Sequence, residues 1–119
     1  MREIKFRAFF RKLSSGKECM QIFLITKGIA INPLTRLLGY VQITEWMQFI
    51  GLKDKNGVEI YEGDILLEDT HPFLVVWDNK RAKFKLQHGL VYQYPEWNRG
   101  VKMAIIGNIH ENPELFESP

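Results

Sequence analysis

The sequence has one cysteine, Cys19, in 119 residues. That excludes an intrachain disulfide and any metal site built from clustered thiolates. Cys19 falls in an apolar stretch with no base beside it, so a buried, inert thiol is expected. Serine is scarce as well. Ser14 and Ser15 lie in a turn-forming stretch and Ser118 near the C-terminal end, and none sits in the strand-to-helix elbow that exposes a hydrolase nucleophile. The glycines are isolated, so no glycine-rich loop is available to cradle a phosphate. His71, His88 and His110 lie far apart, without the short spacing of zinc ligands. Apolar runs such as Ile22–Ile25 fall far short of the roughly 20 residues that span a bilayer. Met1 to Lys5 contains no apolar signal core. These absences predict a soluble protein of a reducing compartment.

What is present is ordinary in bulk. A composition of 45% hydrophobic and 25% charged residues is that of a folded globular chain. The length fits one domain over residues 1–119. The net charge of +2 is too small to argue for nucleic acid by itself, but it is unevenly spread. Residues 1–17 hold Arg2, Lys5, Arg7, Arg11, Lys12 and Lys17 against Glu3. A second cluster, Lys80, Arg81, Lys83 and Lys85, lies inside an otherwise acidic remainder. Such asymmetry can mark a polyanion-binding face, and it can equally reflect solvated strand faces that guard sheet edges.

The pattern along the chain is that of short strands. Residues 2–10 alternate, with Ile4, Phe6 and Ala8 opposed to Glu3, Lys5, Arg7 and Phe9. Ser14 to Lys17 turns the chain into an apolar strand from Cys19 to Thr26. Ile29 to Ile31 is a short extended piece. Asn32-Pro33 resembles a helix start, with Leu34, Leu37 and Leu38 on one face and Gly39 as terminator, although an irregular loop fits too. Residues 40–52 read as a broken or bulged strand. Asn56-Gly57 then marks a hairpin into Val58–Tyr61. Strands follow at 65–69, 73–77 and 82–87, separated by Thr70-His71-Pro72 and by Asp78 to Arg81. In the last of these, Lys83, Lys85 and Gln87 oppose Phe84 and Leu86, so the cationic stripe faces solvent. An aromatic, irregular stretch runs from His88 to Gly100. A final strand over 103–109 is interrupted by Gly107, and Asn112-Pro113 opens a second short helix. The expectation is a mainly-β domain, a small barrel or sandwich with one or two short helical segments.

Three blocks carry a family resemblance: Met1 to Ala8, Met47 to Ile65, and Ile106 to Leu115. They resemble the YopX-like proteins, small products of phages, prophages and related mobile elements of bacteria. The resemblance implies a mainly-β fold with an SH3-like-barrel type core and the cytoplasm of a bacterial host. It implies no enzyme class and no cofactor. Residues 19–40 and 70–102 match nothing in that pattern. Within the matching blocks Gly51, Gly57, Gly63 and Gly107 are backbone-conformation residues, and Asn112 and Pro113 suit a helix cap.

Three chemical groupings stand out. Asp54, Glu62 and Asp64 could converge as acid/base or metal carboxylates, but turn chemistry accounts for each of them locally. Glu68, Asp69 and His71 are the best cluster for a metal-assisted enzyme, a remote alternative that hairpin-turn polarity also explains. The third is basic and aromatic: Arg2, Lys5, Arg7, Lys83 and Lys85 with Tyr92, Tyr94 and Trp97 could bind single-stranded nucleic acid. With no catalytic constellation and surplus aromatics, the first expectation is a non-enzymatic module that binds a protein partner or another copy of itself. Nucleic-acid binding ranks second. No catalytic residue, metal or cofactor is expected.

Overall fold

The computed structural model describes residues 4–26, 29–31, 39–95 and 102–117. Arg2, Trp97 and the helix expected after Asn32 lie outside the described residues. Strands dominate, as expected. They form two antiparallel sheets, one a curled half-barrel, and the described residues include one short helix. The chain divides into two compact units, Met1–Phe49 and Ile50–Pro119.

The first unit is organised by β1 (Ile4–Lys12). It pairs antiparallel with β2 (Glu18–Thr26) from Ile4↔Ile25 to Arg11↔Glu18. The reversal between them is the expected Ser-Ser-Gly turn, closed by Lys12 N–H donating to Lys17 O at 2.8 Å. β2 pairs in turn with β3 (Ile29–Ile31). On its other side β1 meets β4 (Tyr40–Gln42) and then the start of β5 (Met47–Lys53). The break between β4 and β5 is bridged by Thr44, whose hydroxyl accepts from Phe9 N–H at 3.0 Å. The expected interruption of residues 40–52 is therefore a point where a side chain replaces a ladder partner. One expectation fails here. Arg7, Ala8, Phe9 and Phe10 are all buried, so β1 does not alternate between a wet and a dry face. Trp46 packs on Phe10 and Phe23, and Phe6 on Phe23, along one side. Lys5 places its Nζ 4.7 Å from the centre of the Phe49 ring on the other. A central strand covered on both faces loses the period-two signature.

The second unit holds the core. After β6 (Glu59–Tyr61) a five-stranded sheet runs in the order β10-β9-β8-β7-β11. Its strands are β7 (Asp64–Glu68), β8 (His71–Asp78), β9 (Lys83–His88), β10 (Val91–Gln93) and β11 (Ala104–Asn108). Ile50, Leu52, Ile60, Leu66, Phe73, Val75, Leu86 and Met103 form one buried cluster, with Phe84 and Ile105 packed against it. β11 pairs with β7 and carries a bulge between Ile105 and Gly107.

The turns of this unit are fixed by carboxylates and amides. Asp54 Oδ1 accepts from Asn56 N–H and Val58 N–H, both at 2.9 Å. Gly57, at φ +83°, supplies the left-handed residue that closes the loop. Asp64 Oδ2 accepts from Tyr61 N–H at 2.8 Å, so this side chain caps backward over Gly63. Asn108 Oδ1 accepts from Glu111 N–H while its own amide donates to Glu111 Oε1, each at 2.8 Å. Asn112 departs from expectation. Its Oδ1 accepts from Asn108 N–H at 3.3 Å, which ties it back to β11 ahead of the single helical turn α1 (Glu114–Glu117).

That tie explains Gly107. A Cβ there falls 2.5 Å from Asn112 Oδ1 and 2.8 Å from its Cγ. Gly107→Ala is expected to cost about 1–3 kcal/mol, the usual range for overpacking. Removing the obstructing amide in Gly107→Ala/Asn112→Ala should cost less than the two single changes summed. Thermal melts of the four proteins test this, and strictly additive costs reject the close-approach account.

Candidate functional site

The geometry of β8, β9 and β10 follows from register. Asp78 lies opposite Lys83, Val76 opposite Lys85, and Leu74 opposite Gln87. Gln87 lies opposite Tyr92 on the next strand. Directly opposed residues share a face, so Asp78, Lys83, Lys85, Gln87 and Tyr92 stand on one side of the sheet. Leu86 stands on the core side, with Phe84 behind the same strand. The solvent stripe expected of Lys83 and Lys85 is therefore present.

Asp78 organises that face. Its Oδ1 accepts from Lys80 N–H at 3.0 Å and Arg81 N–H at 3.3 Å, fixing the β8–β9 turn. Its Oδ2 accepts from the Tyr94 hydroxyl at 2.8 Å and lies 3.5 Å from Arg81 Nη1. The Tyr94 hydrogen bond, followed by the two backbone donors and Lys85, outweighs burial and lowers the Asp78 pKa. The carboxyl thus stays ionised while it anchors the tyrosine. Burial and the bond to Asp78 raise the Tyr94 phenol in turn. Tyr94 and Tyr92, ahead of Asp78, raise the Arg81 guanidinium.

Two ammonium groups complete the arrangement. Lys83 Nζ sits 3.9 Å from the centre of the Tyr94 ring, and Lys85 Nζ sits 5.2 Å from that of Tyr92. Both distances are within cation–π range. The two tyrosines meet edge to face at 5.6 Å. Rings and cations alternate across one surface, held by a single internal carboxylate. Tyr92 remains 45% exposed, so part of its ring is open to a ligand.

The structure thus brings together three of the residues expected to touch nucleic acid, Lys83, Lys85 and Tyr92. Lys5 and Arg7 belong to the other unit, and Arg7 is buried, unlike a cation on an open face. Tyr94, expected beside Tyr92 on this surface, is there, while sequence reasoning left Arg81 out of the contact set. The available signal was Asp78 at the head of the turn that holds Arg81.

The other face of the same sheet, where His88, Val91 and Gln93 alternate with Gln87 and Tyr92, carries an acidic cleft. Glu68, Asp69, His71, Phe73, His88, Val91 and Gln93 line a cleft of about 290 Å³. The proposed metal cluster of Glu68, Asp69 and His71 does converge here, joined by His88. The two imidazole rings meet edge to face at 5.5 Å. Among the described residues, however, no group of three or more His, Cys, Asp or Glu side chains is arranged to hold a metal ion. Asp54 and Asp64 do not converge on an open site either. Both are buried and bonded to backbone, as turn chemistry requires. Cys19 is half-buried in β2. Among the described residues no helix is long and apolar enough to cross a membrane.

Comparison with known proteins gives the chain's likenesses. The family model described as YopX protein matches residues 5–117. Among solved structures the chain is similar to protein EF1440 from Enterococcus faecalis, seen in a crystal structure. The two share 27% identity and superpose with a TM-score of 0.50, covering 96% of this chain and 98% of that one. No protein of curated function matches.

Proposed function

The chain belongs to the YopX protein family, and from that premise we propose that this member is a non-enzymatic, nucleic-acid-binding domain of phage or prophage origin. The observation that carries this is the platform of Lys83 over Tyr94 and Lys85 over Tyr92, with Arg81 against the Asp78 carboxylate. Phosphates of a single strand meet the cations, and an exposed ring offers a base a stacking partner. Asp78 holds Tyr94 in place beforehand, and Tyr92 packs on that ring, which reduces the ordering cost of binding.

Anisotropy titrations with labelled oligothymidylate and with a duplex test the proposal. The expected result is binding at low salt, tighter for the single strand, with affinity falling steeply as salt rises. Lys83→Ala/Lys85→Ala should flatten the slope of log affinity against log salt by about 1 to 1.5, at roughly 0.7 per phosphate contact. Tyr92→Leu should weaken single-strand binding about tenfold, in keeping with one lost stacking partner. Absence of binding at low salt, or binding indifferent to both variants, rejects the proposal.

A second reading, a protein partner or a second copy, is supported by a different observation. Leu90 is 98% and Val91 59% exposed at the turn into β10, which is an edge of the five-stranded sheet. Exposed apolar side chains beside an unpaired strand edge suit strand addition. Light scattering across micromolar concentrations tests the self-association form, and a strict monomer removes it.

A further inference from the structure

The acidic cleft is chemically the inverse of the basic platform and lies on the other face of the same sheet, because His88 alternates with Gln87, and Val91 and Gln93 with Tyr92. His71 and His88 mark one end of the β8–β9 pair, and Asp78 and Lys83 the other. None of the cleft's lining residues is Lys or Arg, although the chain as a whole is basic. What the lining offers instead is two carboxylates, three flat rings, an amide and one aliphatic side chain.

Local bonding organises these groups. His88 Nδ1 lies 2.7 Å from Pro72 O, and since a carbonyl only accepts, that nitrogen carries the proton. A neutral ring so held keeps Nε2 as its acceptor. The His88 ring is tilted 51° to Phe73 at 5.7 Å and stands edge to face with His71. Glu68 Oε2 accepts from the Gln93 amide, which fixes one carboxylate across β7 and β10. Asp69 has φ 54°, a left-handed turn conformation that sets the second carboxylate at the β7–β8 turn.

We propose that this cleft binds a planar guanidinium cation, with Asp69 and Glu68 accepting its N–H groups and the Phe73, His71 and His88 rings flanking its faces. A guanidinium suits these walls better than an ammonium. It is flat, weakly hydrated, stacks on rings, and donates in a fork that matches a carboxylate. An attached aliphatic stem meets Val91. The cation is either a free small molecule or an arginine side chain of a protein strand lying along β10.

Titration of the full-length protein with agmatine and with N-acetylarginine amide, followed through the ring and methyl resonances of His71, His88, Phe73 and Val91, tests this. N-acetyl-lysine amide and N-acetylglutamine amide serve as controls. Saturable shifts are expected with the two guanidinium probes at a Kd of about 1 mM, and weaker ones with lysine. Asp69→Asn is the decisive variant, because Asn tolerates the left-handed conformation and lacks only the charge. It should weaken guanidinium binding roughly three- to fivefold, as expected for one partly exposed ion pair. An extended arginine-bearing peptide that binds at least about tenfold tighter than the amide identifies a protein source, while equal affinities identify a free small molecule. No saturable shift by about 50 mM probe, fifty times the expected Kd, overturns the proposal. Equal shifts with the lysine or glutamine amide, or unchanged binding in Asp69→Asn, overturn it too. All these outcomes are independent of the oligonucleotide titrations.

Discussion

Asp54→Ala is expected to destabilise the protein by about 3–5 kcal/mol, a large part of the 5–15 kcal/mol typical of a small domain. The carboxylate serves three backbone donors. Two, Asn56 and Val58, belong to its own turn, and the third, Ile105 at 2.9 Å, belongs to β11. The group is only 6% exposed, so water does not readily replace it. Truncation removes the charged acceptor of three part-buried bonds, and a hydrogen bond to a charged group contributes about 1.5–3 kcal/mol, less where solvent reaches the donor as at Asn56 and Val58. A second consequence is pH dependence. Burial pushes the Asp54 pKa up, but the N–H donors of Ile105, Val58 and Asn56, with Lys55 nearby, outweigh it and leave the pKa below its ordinary value. A carboxylate whose pKa is lower folded than unfolded adds stability above the unfolded value, and that contribution disappears as pH falls through the folded one. Acid destabilisation should therefore set in below about pH 4 and be shallower in Asp54→Asn. Denaturant titrations of both variants from neutral to acid pH provide the check. A loss under about 1 kcal/mol in Asp54→Ala, or an unchanged acid limb in Asp54→Asn, contradicts the role given to this residue.

Asp54 also shows where sequence reading succeeds and where it stops. Its turn function is local and could be read from Lys53-Asp54-Lys55-Asn56-Gly57. Its bond to Ile105 spans 51 residues and leaves no trace in composition or period. The same division recurs elsewhere. The Lys83 and Lys85 stripe is a period-two pattern and was legible, and the approach of Tyr92 followed from a short aromatic run. The role of Asp78 in holding Tyr94 was not legible, because it depends on β10 folding back beside β9. His71 opens β8 and His88 closes β9, far apart in sequence, so only the antiparallel register shows that they meet. Arg7 was misread for a related reason. Alternation assigns faces correctly only while one face stays wet, and β1 is covered on both.

The register of the five-stranded sheet makes the second large prediction. Leu66 and Leu67 are neighbours of the same residue type, yet they should respond to truncation very differently. Leu66 is fully buried, opposite Phe73 on β8 and Ile105 on β11, and belongs to the cluster with Ile60, Val75 and Leu86. Leu67 is 37% exposed, opposite Pro72 and Ala104. Leu66→Ala is expected to cost about 3–4 kcal/mol, combining lost burial with the cavity left among rigid neighbours. Leu67→Ala should cost under about 1 kcal/mol, since solvent already reaches the site. Leu66→Met, which nearly conserves volume, should cost less than about 1.5 kcal/mol and so separates packing from mere presence of a leucine. Because strand side chains alternate with period two, a shift of β7 by one residue exchanges the two positions outright. Equal costs for the two alanine variants, or a larger one at Leu67, therefore rule out this pairing of β7 with β8 and β11.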